Sequence, residues 1–385
     1  MGRYIKQEGL EALRDYRYSG TDRSLIANYV MQPFWRRVVE YLPLSLAPNL
    51  VTLIGFAFII AAYLLTAFFA TQIKSFPAWL LLFNAVCLFV YQTMDAVDGK
   101  QARRTNTSSP LGELTDHGCD AVTTWMLALT TMSVCGIGGG WLPFALMSLA
   151  TSAFFMAQWE QYHTGTLNLG YIGVTEAQLL TMGIFVATAI LGPEFWFQQT
   201  TLFGLTLPHN YWLAVLNACA FLFAMSDNLR NTMKYFRAGN SKESIEKAFH
   251  RMLPLFSLIG SAVLWAKFSP TNVLMTYPHL FIGMLGSFAA NIVSRMVLAR
   301  VCALPYSPFQ PVLILPILCS LTFSFLAPLL LSSERTAQLE LAAVASCFGF
   351  SLLCYLYLAA NVVSEMTAHL GISFLTVSSR AKKQS

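Results

Sequence analysis

Charge is scarce in this 385-residue sequence: 11% of its residues are Asp, Glu, Lys or Arg, while 56% are hydrophobic. A soluble domain of this size ordinarily has about a quarter of its residues charged, so a soluble globular protein is excluded. Paired cysteines are also missing. Cys87, Cys119, Cys135, Cys219, Cys302, Cys319, Cys347 and Cys354 lie in or at the ends of apolar runs with no CxxC spacing. That pattern argues against a disulfide framework or a thiolate metal site and for reduced packing residues. No segment repeats, which weighs against the many transporter folds built from two related halves. The opening stretch MGRYIKQEGLEALRDYRYSG has neither an apolar core nor a cleavage site, so no secretory signal peptide is expected and insertion falls to the first apolar run.

Apolar runs of roughly 20 residues, the length that crosses about 30 Å of hydrocarbon as helix, are abundant. They fall near 49–70, 78–98, 112–136, 141–163, 175–193, 210–233, 252–268, 277–300, 310–331 and 338–366. The expected fold is all-α, a polytopic membrane protein with about ten transmembrane helices. An even number puts both termini on one side. The first 48 residues, the connections after the second, sixth and eighth runs, and the C-terminal tail hold 21 of the 24 Lys and Arg; Lys74, Lys267 and Arg335 remain for the opposite face. This bias predicts cytosolic termini. The net charge of +5 follows the same alternation, so it implies attraction to anionic lipid headgroups, and a nucleic-acid partner is not expected.

The runs divide the chain into a cytosolic N-terminal segment (1–48), a six-helix region (49–233), a polar cytosolic loop (234–251), a four-helix region (252–367) and a cytosolic tail (368–385). Within the first segment, SLIANYVMQPFWRRVVEYL (24–42) mixes Leu25, Ile26, Tyr29, Val30, Phe34, Val38 and Val39 with Arg36 and Arg37. Such a mixture suits an amphipathic helix lying in the membrane interface.

The most polar stretch inside this apolar chain is MDAVDGKQARRTNTSSPLGELTDHGCD, residues 94–120. On helices, Asp95 and Asp98 share one face, as do Asp116 and Asp120. The first pair ends one membrane run and the second begins the next, so two antiparallel helices bring four carboxylates together at the cytosolic face. Unneutralised they would repel strongly; bound divalent cations remove the difficulty, and all-oxygen ligands favour Mg²⁺ or Mn²⁺. Gly99, Ala102 and Gly112 would leave room for a ligand to reach the backbone, and Arg103 offers a planar donor fork for phosphate oxygens. Small residues also serve helix packing, and the basic residues also serve topology.

The pattern DxxDGxxARx8GxxxDxxxD, met without a gap by Asp95, Asp98, Gly99, Ala102, Arg103, Gly112, Asp116 and Asp120, resembles the signature of the CDP-alcohol phosphotransferases. The wording APNLVTLIGF, DGKQARRTN, PLGELTDHGCD and WEQYHTGTL is similar to the eukaryotic choline/ethanolamine phosphotransferase branch. The resemblance implies transfer of phosphocholine or phosphoethanolamine from CDP-choline or CDP-ethanolamine to diacylglycerol with release of CMP, two Mg²⁺ or Mn²⁺ ions, a homodimer, and a place in the endoplasmic reticulum or Golgi membrane. In the superfamily the first three aspartates are metal ligands and the last is a ligand or the general base. Here His117, on the face of Asp120 and with an ordinary pKa near 6.5, is assigned as the base and Asp120 to metal, the alternative being a histidine that orients a metal-bound carboxylate. The resemblance also implies CDP-alcohol contacts at Glu113, one turn before His117, and at Asn49, which could otherwise be a helix N-cap. Glu176 in GVTEAQ is a second proton-relay candidate or a helix-start residue. Thr115 stands where this branch usually has an aromatic residue.

Three rival readings share parts of this pattern. An inositol- or glycerophosphate-type synthase shares the motif. A membrane prenyltransferase would separate its aspartate motifs more widely. A divalent-cation-dependent transporter would place carboxylates nearer the bilayer midplane and show paired repeats.

Overall fold

The structure, a computed structural model, describes residues 4–72, 76–170, 173–241 and 243–377. Arg3, Lys74, Lys242 and the three basic residues of the tail, which enter the charge bias, lie outside the described residues. A short helix α1 (Gln7–Ala12) and strand β1 (Gly20–Asp22) precede a π-helical turn (Ala27–Met31) that runs into α2 (Gln32–Tyr41). The long helices follow: α3 (Pro48–Gln72), α4 (Ala78–Arg104), α5 (Pro110–Val134), α6 (Trp141–Thr164), α7 (Val174–Leu191) and α8 (His209–Arg237). Strand β2 (Leu167–Leu169) lies between α6 and α7, and the hairpin β3 (Gln199–Leu202) and β4 (Leu205–Pro208) precedes α8. The second half contains α9 (Ile245–His250), α10 (Leu253–Phe268), α11 (Val273–Thr276), α12 (Pro278–Val301), α13 (Ile314–Leu321), α14 (Ala327–Leu330) and α15 (Ser333–Leu370).

Nine helical segments among the described residues are long and apolar enough to cross a membrane. The remaining run, the third in order, is α5, whose first turns carry Glu113, Asp116, His117 and Asp120 and make it less apolar over a membrane length than the other nine; the meeting of the chain's two ends accords with its crossing as well. The backbone amides of Tyr4 and Ile5 donate to Glu365 near the end of α15, at 2.6 and 2.8 Å, and Leu46 pairs with Thr376. The two ends of the described chain therefore meet at one end of the bundle, which nine crossings would forbid and ten allow. The run expected at 310–331 is a helix interrupted by a π-helical stretch, Thr322–Leu326, just before Pro328; a proline lacks the amide that continues the regular ladder.

The centre of the molecule is α12, whose apolar stretch is 89% buried and packs on α5, α6 and α15. Its Phe281, Ile282, Leu285, Phe288, Ile292 and Met296 are almost fully buried. Helices α3 and α4 approach closely because residue 55 is glycine: a Cβ there would lie 2.8 Å from the Cβ of Met94, next to Asp95. Helix α2 lies across this pair. Met31, Trp35 and Val39 pack on Val51 and Val97, while Leu25, Ile26, Tyr29, Val30 and Phe34 stay exposed beside the equally exposed Arg36 and Arg37. That distribution is the one expected of an interfacial helix.

Candidate active site

The site forms where α4 ends and α5 begins. Pro110 takes the first helical position of α5, and the Ser109 hydroxyl accepts from the amide of Gly112 at 3.2 Å. Both features suit a helix N-terminus. The connection is short enough that Asp95 and Asp98 on α4 face Asp116 and Asp120 on α5. Asp95 and Asp116 adjoin, and each of the four carboxylates lies within electrostatic reach of others in the set. Two receive a protein donor: Thr52 of α3 donates to Asp98 Oδ2 at 2.5 Å, and the Tyr91 hydroxyl donates to Asp120 Oδ1 at 2.5 Å. Asp95 Oδ1 is buried with no hydrogen-bond partner among the described residues.

His117 stands among them with its side chain 5% exposed; Nδ1 lies 3.8 Å from Asp116 Oδ2 and 3.7 Å from Asp120 Oδ2, and Nε2 lies 3.5 Å from Glu113 Oε1. Ligand atoms of Asp116, His117 and Asp120 fall within 4.8 Å of one another. Clustered carboxylates, Asp98 buried and Asp95, Asp116 and Asp120 half-buried, with an unpaired oxygen among them, are costly by themselves and suited to hard divalent cations, so these residues fit a bound metal.

Around this cluster the expected ligand contacts are distributed unevenly. Gly99 opens outward, with only an Arg103 nitrogen near its missing Cβ, at 3.8 Å, and Arg103 itself is exposed. Ala102 is half-buried one turn from Asp98. Gly112 brings the backbone within 3.6 Å of Asn49 Oδ1, measured from the position a Cβ would take; Asn49 is buried and donates through Nδ2 to the Phe374 carbonyl at 3.1 Å. Glu113 is buried, and its Oε1 accepts from Arg300 of α12 and, at 3.4 Å, from Gln161 of α6. Its Oε2 has no protein partner among the described residues, which leaves one oxygen for a ligand. Thr115, where an aromatic residue is usual, donates to the Leu111 carbonyl within its own helix at 2.8 Å. Glu176 lies elsewhere: it accepts from the Ser24 hydroxyl, from the Ile26 amide at 3.3 Å and from the Gly173 amide at 2.8 Å, with no hydrogen bond to His117 or the aspartates among the described residues.

Several site residues carry no motif. Tyr91 precedes Asp95 by four positions, so helical periodicity alone could have found it. An arginine ending a buried apolar run is a signal of its own, and Arg300 is such a residue; its partner, however, is 187 positions away. Tyr18 gives no such sign, yet its ring lies 6.5 Å from that of His117. Tyr18 keeps 56% of its surface exposed but is crowded by surrounding protein; that crowding, then the Asp116 carboxylate, pushes its hydroxyl up to about 12.

Comparison with known proteins agrees with this geometry. The family model described as CDP-alcohol phosphatidyltransferase matches residues 45–224, a span that contains every aspartate of the cluster. An uncharacterised CDP-alcohol phosphatidyltransferase class-I family protein 1 of Dictyostelium discoideum is 35% identical over 99% of this chain and 97% of its own length. Choline/ethanolaminephosphotransferase 1 of Arabidopsis thaliana is 36% identical, covering 96% of this chain and 97% of the relative. Ethanolaminephosphotransferase 1 of Mus musculus is 29% identical over 96% of this chain and 93% of its own. With near-full-length identity at this level and the aspartates gathered as the motif requires, the chain belongs to the CDP-alcohol phosphatidyltransferase family.

Proposed function

We propose that this protein transfers phosphocholine or phosphoethanolamine from CDP-choline or CDP-ethanolamine to the sn-3 hydroxyl of diacylglycerol, giving phosphatidylcholine or phosphatidylethanolamine and CMP. The observation that carries the reading is the gathering of Asp95, Asp98, Asp116 and Asp120 around His117 at the ends of α4 and α5. Two Mg²⁺ or Mn²⁺ ions held by these aspartates would neutralise the diphosphate and favour attack on it.

The chain's own residues supply the rest. His117 Nε2 lies 3.5 Å from Glu113, and neither ring nitrogen has a hydrogen-bond partner among the described residues; a proton held at Nε2, on the Glu113 side, would leave Nδ1 to take the hydroxyl proton of diacylglycerol. The hydroxyl oxygen bonds to the β-phosphorus, the diphosphate bond breaks, and CMP departs with the electron pair. Arg103, Asn49 and Glu113 Oε2 hold the nucleotide, and Gly99, Ala102 and Gly112 let it approach the helices. Glu176 is the alternative base, and its engagement with Ser24, Ile26 and Gly173 favours His117.

The names of the plant and mouse relatives favour a choline or ethanolamine head group over an inositol- or glycerophosphate-type reaction. Carboxylates at helix ends also disfavour a transporter. The Lys/Arg bias supports a cytosolic site, while an endoplasmic reticulum or Golgi membrane and a homodimer follow from the resemblance. The test is an assay of purified protein with diacylglycerol and each radiolabelled CDP-alcohol. Product is expected with wild type and under a tenth as much with Asp116→Asn, a barrier increase above about 1.4 kcal/mol; equal turnover by a folded Asp116→Asn protein refutes the reading.

A further inference from the structure

Residues 16–22 form a strap over the mouth of the site. Arg300 Nη1 donates to the Tyr16 hydroxyl at 3.1 Å, β1 pairs in parallel with β2, and Thr21 donates to Asn168 Oδ1 at 2.8 Å. The strap carries two tyrosines, and one of them already faces a cation: the Arg300 guanidinium lies 6.0 Å from the centroid of the Tyr16 ring. Tyr18 has no Lys or Arg over its ring among the described residues. Tyr18 is more than half exposed, its ring 6.5 Å from that of His117, and it lies within electrostatic reach of three carboxylates, Asp116, Asp120 and Asp95, against one cation, Arg300.

We propose that the face of Tyr18 seats the ammonium end of the CDP-alcohol head group. The inference rests on the function proposed above and adds a specificity residue to it. An aromatic face attracts a cation within about 6 Å of its centroid and needs no N–H from it, which suits a quaternary ammonium. In the head group the nitrogen is four bonds from phosphorus, on the order of 5 Å at ordinary bond lengths. With the phosphorus at the aspartates, that reach spans the gap between His117 and the ring.

The placement depends on Gly20. A Cβ there would fall 2.5 Å from the Tyr18 hydroxyl oxygen and 2.9 Å from Cζ, too close to coexist. Any larger residue must push the phenol away, so Gly20→Ala moves the ring without deleting it.

The experiment measures KM for CDP-choline and the inhibition constant of CMP, which shares the nucleotide but lacks the ammonium. Tyr18→Leu is expected to raise KM about tenfold and leave CMP inhibition unchanged; Gly20→Ala should act in the same direction, and Tyr18→Phe, which keeps the ring, should hold KM within about twofold of wild type. A KM as poor with Phe as with Leu assigns the role to the hydroxyl and overturns the proposal. So does equal weakening of CMP, or an unchanged KM in Tyr18→Leu. If Tyr18→Leu does not fold, Gly20→Ala decides the matter by the same two constants. Wild-type protein that turns over neither CDP-alcohol removes the proposed function and this inference together, whereas normal wild-type turnover with unaffected variants removes the inference alone.

Discussion

Thr52 and Tyr91 give Asp98 and Asp120 what Asp95 lacks at Oδ1, a neutral donor that holds the carboxylate in one orientation. Outer-sphere donors of this kind typically contribute 10- to 100-fold in metal affinity or activity. Thr52→Val and Tyr91→Phe are accordingly expected to shift the Mg²⁺ concentration for half-maximal rate upward by about that factor, with much of the rate recovered at saturating metal; unchanged metal dependence would show that the two donors only pack. For His117 the expectation differs. His117→Ala should cost about 10² or more in kcat, the scale of general-base catalysis, with little effect on CDP-alcohol binding. Near-normal kcat in that variant, alongside a loss in Glu176→Ala or Asp120→Ala with metal still bound, moves the base to a carboxylate. At this scale the sequence was legible where spacing is local: the aspartates, His117 and Glu113 each lie about a turn or less from the next along one of two helices. Arg300, Thr52 and Tyr18 reach the site from other parts of the chain, and no periodicity links them to it.

At the level of elements, adjacent arginines divide the work at the end of α4. Arg103 faces outward, whereas Arg104 Nη1 donates to the carbonyls of Val39 at 2.8 Å and Leu42 at 2.7 Å, and Nη2 to that of Glu40 at 3.3 Å. Those carbonyls lie in the last turn of α2 and at its C-cap, that of Val39 also accepting from the Leu42 amide at 3.2 Å, and a cation there also meets the negative end of the helix dipole. Gln101 holds the next carbonyls, of Pro43 at 2.8 Å and Leu46 at 3.1 Å. Glu176 accepts from Ser24 and Ile26 at the opposite end, so α2 and the turn before it are fastened at one end to α4 and at the other to α7. Arg104→Ala should lower stability by about 1 kcal/mol and speed amide exchange over residues 39–46, while Arg103→Ala should raise the KM for CDP-alcohol with Tm unchanged; the reverse pattern would exchange their roles. The long helices match the apolar runs to within a few residues, because lipid-length hydrophobicity is a strong signal. The β1–β2 pairing escaped the sequence, since three residues too short to show alternation bond across a separation that pattern analysis does not bridge.

For the molecule as a whole, Tyr4 and Ile5 meet Glu365 and Leu46 meets Thr376, and Gln101 and Asn49 tie Leu46 and Phe374 to the end of the bundle that carries the aspartates; the Lys/Arg bias predicts that this end faces the cytosol. In sealed, right-side-out microsomes, CDP-alcohol added outside should be consumed without detergent; consumption only after permeabilisation would reverse the orientation. The same contact orders events during synthesis. Glu365 leaves the ribosome 361 residues after Tyr4, roughly 20–70 s later at about 5–20 residues per second. The aspartate helices are then long in place, and β2 and Arg300 already hold the segment carrying Tyr16 and Tyr18, while the amides of Tyr4 and Ile5 still lack their acceptor and the Gly118 carbonyl lacks its Tyr355 donor. A chain stopped after Leu331 should therefore integrate into the membrane yet remain without turnover, which an assay of the truncated protein would check. A ribosome-bound, half-made copy would be a catalyst with its aspartate helix unbraced, and only arrival of the last helix would switch it on.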